Sequence, residues 1–227
     1  VPLLELLTCD ENQLDLSQLP HLLTLGCYGK ELHELDLSNT PKLKELTISR
    51  TKIEALDLSA NPELTKFTCF GGQIRELDFS HSPKLKSLSC PENKLTSLDL
   101  SHTPLIKRLN CRSNQIGKLD LSYTPKLQYL DCTGNVLTEM NTSQLRELTY
   151  LNCSSNQLHQ LDLSVNAKLE SLNFSNNSLE TIDLLSNSKL RRLVCRDNKL
   201  TELALSLNPA IEHLECGGNE LGDLDLS

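Results

Sequence analysis

The chain has 227 residues, with 22 basic side chains against 30 acidic ones, and its net charge of −8 argues against nucleic acid as a partner of the whole molecule. No stretch approaches the roughly 18 apolar residues of a membrane span, so no membrane insertion is expected. One Met, no Trp and an abundance of Leu describe a core built largely from one kind of side chain.

The elements repeat. The first unit is already running at Leu4, Leu7, Cys9 and Asn12, so no secretion leader is expected within these residues. A short step of 18 residues leads from Cys9 to Cys27, because the x-x-L after Leu14 is missing. From there Cys27, Ile48, Cys69, Cys90, Cys111, Cys132, Cys153, Phe174, Cys195 and Cys216 follow one another every 21 residues without a slip. A complete unit reads L-x-x-L-x-C-x-x-N-x-L-x-x-L-D-L-S-x-x-P-x, as in Leu88, Cys90, Asn93, Leu95, Leu98, Asp99, Leu100, Ser101 and Pro104. Self-similarity at such a period marks a solenoid. Each unit is too small to bury its own apolar face, so units must stack and share one core. Residues 1–227 are therefore read as one elongated domain of about 11 repeats. The sequence stops mid-unit at Leu226-Ser227, and neither end shows a polar cap, which predicts a segment of a longer protein.

Counting from the cysteine as position 0, L-x-x-L-x-C alternates around −2 and 0, the period of a strand with one buried face. Asn follows at +3 in eight of eleven units (Asn12, Asn93, Asn114, Asn135, Asn156, Asn177, Asn198 and Asn219), where an amide can bond backbone groups that a turn leaves unpaired. Stacked, these residues predict an asparagine ladder. Lys30, Thr51 and Gly72 interrupt it, which predicts a looser N-terminal third. The return segment L-D-L-S-x-x-P suits a tight turn or a short 3₁₀ segment, and this thin return side predicts shallow curvature. One unit departs from the pattern, with Met140-Asn141-Thr142-Ser143 in place of L-D-L-S and Arg146 where most units have Pro. A local distortion is the expected result.

All nine cysteines share one phase with Ile48 and Phe174, and a position that accepts Ile or Phe is a core position. Stacked side by side about 4.8 Å apart, the sulfurs suit a disulfide poorly, since that bond needs converging Cβ atoms. No C-x-x-C pair occurs to favour zinc. A reduced structural ladder is expected ahead of an occasional disulfide or a metal site.

These residues carry a resemblance. A 21-residue leucine-rich repeat with Cys in place of one strand leucine resembles the cysteine-ladder subclass of bacterial internalin-type surface proteins, over positions 4 to 226. The resemblance implies a right-handed leucine-rich-repeat solenoid of the α/β repeat class. It places a parallel β-sheet on the concave face and turns or 3₁₀ segments on the convex side. It also implies a secreted or cell-surface location in a bacterium and an adhesive role. The family's flanking cap, immunoglobulin-like and anchoring regions have no counterpart in these residues, and no family binding residue maps onto a matching motif. The L-P-x-L-P strand signature of bacterial effector ligases is missing.

In such a strand, positions −4, −3, −1, +1 and +2 point away from the core. Six of eight arginines fall there (Arg50, Arg108, Arg112, Arg191, Arg192 and Arg196), against about two expected from five slots in 21. Tyr28, Tyr129, Tyr150 and Phe70 join them, while Phe67, Phe79 and Phe174 take core phases. Arg and Tyr dominate binding hot spots, and Arg offers a donor fork to carboxylates or sulfates. The expected ligand is a protein or an anionic glycan, bound by a monomer without a cofactor. Binding should centre on Arg108, Arg112, Tyr129 and Tyr150, with Arg191, Arg192 and Arg196 as a second patch. The alternative for this face is ordinary solvated mixed charge, since Glu45, Glu92, Asp131, Glu170, Asp197, Glu212 and Glu215 share it. The molecule would then be a structural spacer holding other domains apart.

Asp recurs at the L-D-L-S slot, consecutively at Asp36, Asp57, Asp78, Asp99 and Asp120. Hydrogen bonding to the adjoining turn accounts for this better than calcium, which wants six to eight oxygens per ion. His81 and His102 share a phase in neighbouring units, too few ligands for a metal site. No Ser-His-Asp, Cys-His or H-E-x-x-H arrangement is present, so no enzymatic activity is expected.

Overall fold

The computed structural model describes residues 3–10 and 13–222. Asn12 and Leu226-Ser227, singled out above, lie outside the described residues. Eleven short strands pair in parallel and in chain order to make one sheet. They are β1 (Leu6–Cys9), β2 (Thr24–Cys27), β3 (Glu45–Ser49), β4 (Lys66–Phe70), β5 (Ser87–Ser89), β6 (Arg108–Asn110), β7 (Tyr129–Asp131), β8 (Tyr150–Asn152), β9 (Ser171–Asn173), β10 (Arg192–Val194) and β11 (His213–Glu215). Register follows the repeat, so Leu88 faces Leu109 and Leu109 faces Leu130.

The core lies behind this sheet. Positions −2 and 0 turn inward, as Leu88 and Cys90 do, while the residues between them lie on the opposite face of the sheet. Phe67, Phe79 and Phe174 are buried as their phases require, and Phe67 meets Phe79 edge to face at 5.9 Å across the core. The cysteines are all free thiols, and burial pushes those of Cys27, Cys153 and Cys195 up to about 12. Seven are fully buried. Cys9 and Cys216 are only half-buried, because each sits in an outermost described coil with a neighbour on one side.

The asparagine ladder runs unbroken from Asn93 to Asn219 and works by a fixed pattern. Asn114 donates through Nδ2 to the carbonyls of Cys90 in the previous coil (2.9 Å) and Cys111 in its own (3.0 Å). Its Oδ1 accepts from the Leu95 amide at 3.1 Å, so one side chain satisfies backbone groups of two coils.

Strands are longer in the coils that lack this Asn, and β3 and β4 pair through five residues where β5 to β11 have three residues each. Beyond position 0 the pairing of β3 with β4 runs on to Ser49 and Phe70, and the Arg50 amide donates to the Phe70 carbonyl at 2.8 Å.

The return side contains turns and no helix among the described residues. Thr103 donates its N–H to the Leu100 carbonyl and Ile106 donates to that of Thr103, two β-turns in succession. The Asp slot caps the first of them. Asp99 Oδ1 accepts from the Ser101 amide at 2.9 Å, and the same bond recurs at Asp36, Asp57, Asp78 and Asp120. This is the hydrogen-bonded arrangement expected above in place of calcium, and it holds these carboxyls below their usual range.

A second buried polar column stands at +13, just before the proline slot, in Thr40, Asn61, Ser82, Thr103, Thr124, Asn166, Asn187 and Asn208. Thr103 and Thr124 each donate to a carbonyl three residues back, and Asn208 bonds the carbonyls of Leu184 and Asn187. The irregular unit keeps this column by exchanging two residues. Leu145 takes the +13 position and Thr142 the +10 position, from which its hydroxyl donates to the Asp162 carbonyl (2.6 Å) and lies 2.8 Å from Asn166 Oδ1.

Candidate ligand-binding face

Strand alternation aims positions −3, −1 and +1 out of the sheet, and parallel register lines them up in columns. Column −3 brings Arg108, Tyr129 and Tyr150 together on β6, β7 and β8. The Tyr129 and Tyr150 rings stack at 4.3 Å between centroids and 6° between planes. Arg108 completes the pile with its Cζ 4.3 Å from the Tyr129 ring centre. Strand spacing sets this geometry, since neighbours in a column stand one aromatic thickness and a little more apart. Burial, together with the neighbouring Tyr150 hydroxyl, pushes Tyr129 up to about 12.

Column −1 beside the pile is a run of short polar side chains: Asn110, Asp131, Asn152 and Asn173. Each turns Oδ1 back to accept an amide two residues on, at Arg112, Thr133, Ser154 and Ser175. Asp131 is buried, and it also takes the Thr133 hydroxyl at 2.7 Å. A carboxylate fixed at the middle of this tract disfavours an anionic group placed directly over it.

The other predicted residues divide into separate groups. Arg112 does not join the tyrosines through a stack but pairs with Glu92 of the preceding coil at 3.1 Å. Arg191 meets Glu212 at 3.6 Å, while Arg192 and Arg196 converge on Glu215 at 3.1 and 2.7 Å. His213 lies 2.5 Å from the same Glu215, and these neighbours, His213 foremost, lower its carboxyl. Tyr28 is exposed near the other end on its own, and Phe70 lies beneath Arg50 at 6.0 Å, away from the central stack.

Position +2 departs from its expected place on the strand. It adopts the left-handed region in nine coils, at Arg50, Glu92, Ser113, Ser155, Asn176, Asp197 and the glycines Gly71, Gly134 and Gly218. The chain turns off the sheet there. A Cβ at Gly218 would come 2.2 Å from Asp197 Oδ1, so any larger residue there would have to displace that carboxylate. The recurrent Gly at +2 (Gly71, Gly134 and Gly218) carried this signal in the sequence. The polar −1 run and the role of Glu215 were missed; four consecutive Asn or Asp residues at one phase were the available sign.

A hollow of about 810 Å³ lies on the return side around Met140, Asn141 and Asp162. It is open, and the Asn141 and Asp162 side chains are already bonded to their own turns. Among the described residues no group of three His, Cys, Asp or Glu side chains is placed to hold a metal ion.

A model of the family "Leucine Rich Repeat" matches residues 168–188. The functional domain of InlJ from Listeria monocytogenes, described as including a cysteine ladder, superposes with a TM-score of 0.80 at 28% identity over 98% of this chain and 55% of that one. The chain is a leucine-rich-repeat solenoid with a cysteine ladder. It spans about half the length of the InlJ structure. An internalin of the same bacterium matches at 22% identity and a TM-score of 0.65, over 92% of this chain and 63% of that one. A plant peptide hormone receptor, RGFR1 in complex with RGF2, matches at 20% identity and 0.79, over 91% and 37%, and shows the shared leucine-rich-repeat fold alone. No curated protein matches by sequence. No helix among the described residues is long and apolar enough to cross a membrane.

Proposed function

We propose that this leucine-rich-repeat domain is a non-enzymatic binding module that takes a protein ligand on its sheet face, within a secreted or cell-surface protein of which residues 1–227 form one domain. The observation that carries the reading is the Arg108–Tyr129–Tyr150 pile, rigid aromatic surface held by strand register at the middle of the face. Rigid aromatics give contact area at small entropic cost, which is why they anchor interfaces. Of the two ligand classes raised by the sequence, a protein is favoured over an anionic glycan. Asp131 lies beside the stack, and Arg112, Arg191, Arg192 and Arg196 are each met by a glutamate. The solved receptor bound to its peptide hormone gives the same fold a precedent for peptide recognition.

The same arginine pairing favours a second reading, the spacer. A face whose cations are neutralised within the chain has less need of a partner. One screen separates them. The domain is tested against candidate surface proteins and sulfated glycans, and any hit is repeated with Tyr150→Ala, Arg108→Ala and the return-side control Lys126→Ala. The binding reading expects a loss of about 2 kcal/mol or more at the tyrosine and almost none at the control. Equal losses at all three positions, or binding that follows Lys126 alone, would put the spacer ahead.

A further inference from the structure

From β6 to β10, column −3 of the sheet face is a series of flat or cationic groups with one interruption. Arg108 on β6, Tyr129 on β7 and Tyr150 on β8 are in contact, Ser171 follows on β9, and Arg192 stands on β10. Tyr129 covers one face of the Tyr150 ring. The other face looks along the column toward Ser171, whose side chain is too short to cover it. Arg192 leans the opposite way, toward β11, held by Glu215 at 3.1 Å. The Ser171 hydroxyl has no hydrogen-bond partner among the described residues.

Two strand spacings separate Tyr150 from Arg192, roughly 9–10 Å. A flat group needs about 3.5–4 Å to the surface on each side, so one ring fits and two do not. The flanking chemistry narrows the occupant. A guanidinium or ammonium would stack on Tyr150 but meet Arg192 as a like charge. A carboxylate would suit Arg192 but would face the negative side of the tyrosine ring. A neutral aromatic ring satisfies both, by stacking on Tyr150 and by receiving the Arg192 cation on its other face. Releasing Arg192 from Glu215 costs little, because that pair is exposed to solvent on the arginine side. An indole has the strongest cation–π face and an N–H that can donate to the Ser171 hydroxyl.

We propose that the gap over Ser171, between the open face of Tyr150 and Arg192, is a slot for a single aromatic side chain of the protein ligand, with indole as its best occupant. The inference rests on the binding reading above and specifies its anchor. Ser87 supplies an internal control. It is the other serine of the same column among these strands, but Lys66 and Arg108 flank it, so it lacks an aromatic wall.

The test uses the absence of tryptophan from the chain. N-acetyl-tryptophanamide is titrated with the domain, and its fluorescence and anisotropy are read free of protein background. Saturable binding is expected with the wild type. Ser171→Tyr fills the slot from within and should weaken binding about tenfold or more, with the thermal midpoint unchanged or raised. Tyr150→Ala should weaken it similarly, and Ser87→Tyr should leave it unchanged. No saturable signal with the wild type, or equal effects of Ser171→Tyr and Ser87→Tyr, overturns the slot. A displayed peptide library panned on the wild type separates this failure from that of the broader reading. Peptides weakened by Arg108→Ala, indifferent to Ser171→Tyr and not enriched in aromatics would remove the slot and leave sheet-face binding standing. Peptides indifferent to Arg108→Ala, Tyr129→Ala and Tyr150→Ala would remove sheet-face binding itself.

Discussion

Phe174 shows how one residue can be both an exception and a requirement. It occupies the phase that cysteines hold on either side, and it is fully buried. Phe174→Ala should open a cavity and cost about 3–5 kcal/mol, while Phe174→Cys restores the column and should cost less. Chemical denaturation of the two variants checks this, and equal losses would show that Phe174 does not fill the column. The thiols of the column should protect themselves unequally. Native labelling with a thiol reagent is expected at Cys9 and Cys216 first, with the seven buried cysteines reacting only on unfolding. The sequence pointed to a core ladder through the Ile and Phe substitutions. Protection at the ends was harder to read, because it depends on what stacks beyond Cys9 and Cys216.

At the scale of the element, two polar devices hold each coil, and they respond to different perturbations. The ladder asparagine is buried, so Asn135→Ala strands the Cys111 and Cys132 carbonyls and the Ile116 amide that it bonds. A loss of at least about 1–3 kcal/mol is expected, measured as a shift in the denaturation midpoint. The aspartate that caps the return turn is exposed and titrates. Its carboxyl is lowered in the fold, so the unfolded chain binds protons more readily as acidity rises. The stability from these caps is complete well above the ordinary carboxylate range and is lost as pH falls through the lowered folded values. Replacing Asp36, Asp57, Asp78, Asp99 and Asp120 with Asn, which already serves at Asn141, should flatten the acid limb of the thermal midpoint against pH. Midpoints that still fall as steeply in acid would assign that limb to other groups. Strands and turns were legible in the sequence because inward Leu and Cys recur with period 2 and because L-D-L-S precedes proline. The +13 column was not, since Thr, Asn and Ser share that phase without sharing a letter. The exchange of Thr142 with Leu145 is intelligible only once Asn166 is seen beside it.

For the whole molecule, the period determined the fold, and the site had to wait for the columns. Stacking of Tyr129 on Tyr150 follows from a shared phase, and both residues were named from sequence among the central candidates. Arginine content on the same face overstated its free positive charge, because Glu92, Glu212 and Glu215 lie in adjacent coils within reach of those arginines. Because each coil touches only its neighbours, stability should be graded along the axis. Hydrogen exchange is expected to be slowest for β5 to β10, where the ladder is continuous and both sides are covered, and fastest for β1 and β11. Uniform protection throughout would mean that the coils unfold as one cooperative block.

Strand order gives the chain a mechanical character as well. The hydrogen bonds of the sheet run along the stack from coil to coil, so tension applied between the two ends loads one row of bonds at a time and peels coils singly. Each released coil frees 21 residues, about 70 Å of extended chain, in place of a rise of about 5 Å. A single molecule pulled from its ends should therefore lengthen in regular steps of roughly 65 Å at modest force, yielding like a strap paid out fold by fold.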